Sequence, residues 1–126
     1  MLAGPVATAT IAYAEAYSGL TRRNREGGLS ASQYARTCER FERDWQEFVK
    51  VELQNEILLR ARILIQRHAL WGFDAIHLAS AQMLEAGVEQ AVTMVAADER
   101  LLRAAAGEGL ATLNIETGRA TPHASR

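Results

Sequence analysis

From residue 6 to residue 116, short β-leaning runs alternate with helical stretches, and this alternation limits the fold more than any other feature of the chain. "VATAT" (6–10) precedes a helical stretch over 11–26. That stretch ends at Gly27-Gly28, with Arg22, Arg23 and Arg25 in its last turns, where the helix dipole favours cations. Ser30-Ala31-Ser32-Gln33 matches a capping box and opens a second helix, on which Tyr34, Cys38, Phe41, Trp45 and Phe48 recur at helical spacing. "FVKVEL" (48–53) is a candidate strand. A third helix is expected over 54–70, broken at Trp71-Gly72, and a fourth is expected to start with Asp74 as its cap and to stop at Gly87. "AVTMVAA" (91–97) is a continuous apolar run, the signature of a strand covered on both faces. Asp98 caps the next helix, and "ATLNIE" (111–116) is the last strand. Strands separated by helices predict a parallel sheet, because parallel neighbours need crossover connections.

At 126 residues, 48% of them apolar, the chain is expected to form one domain over 1–116 with a substantial core, followed by a polar, flexible tail over 117–126. A charged fraction of 23% excludes a disordered polyelectrolyte. No apolar run reaches the roughly 18 residues of a membrane span. The start "MLAGPVATATI" lacks the basic n-region of a signal peptide. A single cysteine, Cys38, excludes an internal disulfide and a thiolate metal site, and fits a cytoplasmic setting. With a net charge of −1, any nucleic-acid partner must be met by a local basic patch.

Three acids stand out. Ligands of open α/β sheets bind beyond the carboxyl ends of the strands. Asp98 follows the run 91–97 directly, Glu15 lies early in the helix after "VATAT", and Asp74 opens a largely apolar helix of the same architecture. Convergence of all three would be costly: two unit charges ~4 Å apart repel by ~4 kcal/mol at an effective dielectric near 20. Such a cluster must take up protons or hold a cation, and all-oxygen ligands favour Mg²⁺ or Mn²⁺. Carboxylate-held Mg²⁺ commonly serves phosphoryl chemistry. Each acid also has a structural reading, Asp74 and Asp98 as N-caps and Glu15 as a solvated residue. His77 reads as a hydrogen-bonded core histidine and Cys38 as core, while His68 and His123 have no partner at any telling spacing. Arg22, Arg23 and Arg25 suit RNA phosphates or a solvated helix end equally well. Asp44 lies on a helix remote from the three acids by pattern.

Together, "TIAYAEAYSGLTRR" around Glu15, "WGFDAIHLASAQML" around Asp74 and "VTMVAADERLLRAAAGEGL" around Asp98 resemble the PIN-domain ribonucleases, in particular the VapC-like toxins of toxin–antitoxin pairs. The resemblance implies a three-layer α/β/α domain with a central parallel sheet. It implies that Glu15, Asp74 and Asp98 bind Mg²⁺ or Mn²⁺ and hydrolyse RNA through an activated water. It further implies a homodimer and a cognate antitoxin that inserts a segment at the active site. The family's opening strand, which carries another Asp, has no counterpart in "MLAGPVATAT", and Leu2-Ala3-Gly4 reads like the tail of a helix. The expected consequences are a gap or repacking in the sheet, exposed strand edges and weaker Mg²⁺ affinity. The rival reading is a weak or inactive PIN fragment that binds an antitoxin-like partner or its own copy. A nucleotide-binding α/β domain fits less well, because Gly27-Gly28 follows a helix and not a strand.

Overall fold

The structure, a computed structural model, describes residues 5–124, so the helix tail expected at Leu2-Ala3-Gly4 lies outside the described residues. The chain divides into two compact units, Met1–Glu52 and Leu53–Arg126. The mixed α/β class and the parallel pairing are as expected, and the strands are hydrogen-bonded in two sets, one in each unit.

In the first unit, β1 (Ala7–Ala9) pairs in parallel with β2 (Val49–Val51). The crossover between them is a hairpin of two helices, α1 (Ala12–Arg25) and α2 (Ala31–Glu47). The turn between them is fixed at both ends. Gly27, at φ 81°, lets the Gly28 N–H reach the Arg23 carbonyl at 2.8 Å, the bond that closes a Schellman motif. Ser30 and Gln33 form both halves of the capping box. No residue of α1 or α2 is fully buried, so the hairpin is held by ring packing. Tyr13 meets Trp45 with ring centres 5.1 Å apart, and Tyr17 meets Phe41 edge-on at 5.6 Å. Both phenols donate to Glu42 Oε2, Tyr13 at 2.6 Å. Those bonds hold the Glu42 carboxyl below the usual range and push both phenols up.

In the second unit, α3 (Asn55–His68) packs on α4 (Gly72–Val88), and then β3 (Thr93–Ala96), α5 (Glu99–Gly107) and β4 (Ala111–Asn114) form a parallel βαβ unit. α3 buries Ile57, Ala61 and Leu64, while α4 buries Ala75, Leu78, Ala79 and Ser80. The small residues on both stripes allow a close approach of the two helices. No residue of α4 from Asp74 to Glu85 is exposed, in keeping with a sequence that is apolar nearly all round.

Four sequence expectations need correction. Asp74 does not cap α4: Trp71 is the N-cap, with extended backbone and no capping side-chain bond, and Asp74 sits within the first turn. Gly87 does not end α4 either; the helix runs on to a left-handed Glu89 at φ 54°. Glu85 supports this extension by accepting the Val92 N–H at 2.8 Å, which folds the next segment back on the helix end. The polar end of the chain, expected to be loose from residue 117, is tied back. β5 (Ala120–Thr121) pairs antiparallel with β4, and the Ala124 N–H donates to the Gly109 carbonyl at 3.0 Å. Finally, His68 and His123 do have partners, Glu108 at 2.7 Å and Glu85 at 3.3 Å.

Glu108 joins three helices. It is the C-cap of α5, and it accepts from Arg67 (2.7 Å) and His68 (2.7 Å) at the end of α3 and from Gln82 (3.1 Å) in α4. Burial alone would raise its pKa, but the bonds from His68, Arg67 and Gln82 prevail and hold the carboxyl below the usual range. The stability it contributes is therefore complete above the ordinary Glu pKa and is lost as pH falls through the lowered, folded value. Glu108→Gln is expected to cost about 1–3 kcal/mol at neutral pH. In denaturant melts the gap between variant and wild type should close as pH drops below the ordinary Glu range; a gap that persists there would contradict the assignment.

Candidate active site

The parallel pair β3–β4 presents its carboxyl ends together, and the polar residues gathered there set the chemistry of the second unit. Asp98 follows β3 and is the N-cap of α5, its Oδ1 accepting the Leu101 N–H at 3.0 Å. The residue is exposed. Glu99, next in sequence, is held by Asn114 at the end of β4, whose Nδ2 donates to Glu99 Oε1 at 2.7 Å. Asn114 is buried, and its Oδ1 accepts the N–H groups of Glu116 (2.9 Å) and Thr117 (3.2 Å), which turns the chain towards β5. One buried amide thus fixes both the β4–β5 turn and a carboxylate beside Asp98.

Asp74 is half-buried in the first turn of α4, where the helix dipole favours a negative charge. This placement accounts for an acid on a largely apolar helix. His77, one turn on, is also half-buried, in keeping with a structural role.

Glu15 belongs to the first unit. It is exposed in the first turn of α1 and lines an open groove between α1 and α2 with Arg22, Arg23, Arg40 and Asp44. Asp44, set aside on pattern, therefore shares a groove with Glu15, because the antiparallel hairpin brings the start of α1 beside the end of α2. Arg22, Arg23 and Arg25 are exposed on the last turns of α1. The second unit thus carries Asp74 and Asp98, and the first carries Glu15 with the arginines.

Asp74 and Asp98 offer the hard oxygen donors that Mg²⁺ or Mn²⁺ takes alongside its waters. Among the described residues, no group of three or more His, Cys, Asp or Glu side chains is arranged to hold a metal ion. The donors fit such an ion in kind, without a preassembled cage.

The model of the PIN domain family matches residues 1–107. The chain belongs to the PIN-domain family. PIN domains are generally metal-dependent nucleases and typically bind divalent ions. No curated protein and no solved structure matches the chain. Among the described residues, no helix of this PIN domain is long and apolar enough to cross a membrane.

Sequence reasoning missed the Asn114–Glu99 pair and the Glu108 junction. Asn114 and Glu99 are 15 residues apart, and Glu108 meets partners 26 to 41 residues away, separations that leave no local periodicity. The position of Asn114 at a strand's carboxyl end was the one available signal. The cap at Asp98 was legible in the sequence. Asp98→Ala should lose about 1 kcal/mol, whereas Asp98→Asn, an equally good cap, should stay within a few tenths of wild type in thermal melts. An equal loss in both variants would show that the charge, not the cap, carries the stability.

Proposed function

We propose that this PIN domain is an endoribonuclease of the VapC-like toxin type, dependent on Mg²⁺ or Mn²⁺. The observation that carries the reading is the family match over residues 1–107, together with Asp98 directly beyond the carboxyl end of β3 and Asp74 in the first turn of α4. The residues proposed to hold the ion are Asp74 and Asp98, with Glu15 the third acid on which cleavage depends. When bound, the ion would supply charge neutralisation at the phosphate and a lowered pKa for the attacking water. Asp98 keeps its orientation because one oxygen is fixed on the Leu101 N–H. Glu99, held on Asn114, adds negative potential near Asp98, which favours a cation there and disfavours a bare phosphate. Arg22, Arg23 and Arg25 are exposed cations suited to RNA phosphates. A cognate antitoxin and a homodimer belong to the same proposal, as does a cytoplasmic location.

A second reading, a protein-binding module with little or no catalysis, is favoured by one observation. α3 exposes Leu59 (57%) and Ile63 (46%) on the side away from its buried stripe. The test is RNA cleavage by the full chain with Mn²⁺ or Mg²⁺ and with chelator. Cleavage should require the ion and fall about 100-fold or more in Asp74→Asn, Asp98→Asn or Glu15→Gln, the loss of several kcal/mol of transition-state stabilisation. Activity that survives Asp74→Asn and Asp98→Asn together would rule the mechanism out. No cleavage by wild type, with capture of a small protein partner, would favour the binding module.

A further inference from the structure

α3 has two faces of opposite fate. Ile57, Ala61 and Leu64 are buried, whereas Leu58, Leu59, Ile63 and Ile65 are exposed. Leu59 and Ile63 are four residues apart on one unbroken helix, so their side chains adjoin and form a single row. At roughly 100° per residue, the midline of that row lies about 150° round the helix axis from the buried stripe. Arg60 and Arg62 bracket the row, one on either side and each about 80° from its midline. Both arginines are exposed, and among the described residues neither makes an ion pair, whereas Arg67 is engaged by Glu108. Glu56, a turn before Leu59, is the single acid of the helix. α3 therefore presents an apolar row between two uncommitted cations, in a chain whose net charge is −1.

We infer that the outer face of α3 is a docking surface for an amphipathic helix of a partner protein, with Asp or Glu on both flanks of its apolar row. The inference rests on the protein-binding reading above, to which it gives a partner class. The charges select this occupant. A helix laid along α3 buries Leu59 and Ile63 against its own apolar row and brings its flanking residues to Arg60 and Arg62, as flanking charges meet across a coiled coil. A second copy fits less well, since a two-fold contact would crowd four uncommitted arginines round one seam with two copies of Glu56 to meet them. RNA would satisfy the arginines but set phosphates against Leu59 and Ile63.

The test presents the full chain with a displayed library of amphipathic helices as long as α3. The apolar row is fixed, and the flanking positions are free to be Glu, Gln or Lys. Selected members should carry Glu on both flanks. Labelled as free peptides and followed by fluorescence anisotropy, they should bind about tenfold more weakly to Arg60→Gln/Arg62→Gln, and at least as much more weakly to Ile63→Ser. Arg60→Glu/Arg62→Glu should transfer the selection to Lys-flanked members, a reversal that mere damage to the fold cannot produce. All these positions are exposed, so the variants should keep the wild-type melting profile. Selection without regard to flanking charge, or charge-swapped variants that still prefer Glu, would overturn the inference and leave the binding-module reading standing. A chain that selects no member overturns both. Self-association in sedimentation that is lost in Ile63→Ser would assign the face to a second copy, and displacement of the peptides by an oligoribonucleotide would assign it to RNA; either result overturns the inference.

Discussion

A single carboxylate fixes how the two helices that carry Asp74 and Asp98 are held. Glu108, at the end of α5, takes donors from the last turn of α3 and from the middle of α4. Its side chain is only 12% exposed, so the charge is largely removed from water and must be met by those donors. α4 bears Asp74 at one end and α5 bears Asp98 at its start. Displacing Glu108 would therefore free the helices that position both acids, although Glu108 touches neither. Ile57, Leu64, Leu78 and Leu110 are the largest fully buried side chains among the described residues. The hydrophobic stripes bring the helices together, and the charge centre sets their register.

The two units achieve order by different means. The second has a core mainly of aliphatic and small residues, with Ala75, Ala79 and Ala105 fully buried. The first buries no helical residue completely and relies on aromatic edges and on two phenols sharing Glu42. Partly exposed rings retain much of their packing benefit at the surface, which a thin helical hairpin needs. The two aromatic residues of the second unit, Trp71 and Phe73, are by contrast exposed.

Much of the fold was legible because its determinants are local. The capping box at Ser30, the glycine at 27 and the cap at Asp98 all act within a few residues and were found where expected. The strand at 91–97 was readable from its unbroken apolar run, and its partner from the crossover rule. What escaped detection was long-range or depended on competition between neighbours. Asp74 reads as a cap, but the extended Trp71 starts the helix three residues earlier. Gly87 reads as a stop, but Glu85 holds the helix end through Val92. His68 has no neighbour in sequence that could reveal Glu108. For the candidate site, the three acids were legible as residue types in suitable positions. The buried amide of Asn114 that organises the strand ends was not, since it is visible only once β4 is laid beside β3.

The central claim is that Asp74 and Asp98 attend one divalent ion. Anomalous diffraction from crystals grown with Mn²⁺ tests it most directly. The account predicts a single strong peak roughly 2.0–2.2 Å from an oxygen of each carboxylate, its remaining positions taken by water. Manganese bound only elsewhere, or carboxylates that face different sides of the fold with no metal between them, would contradict it.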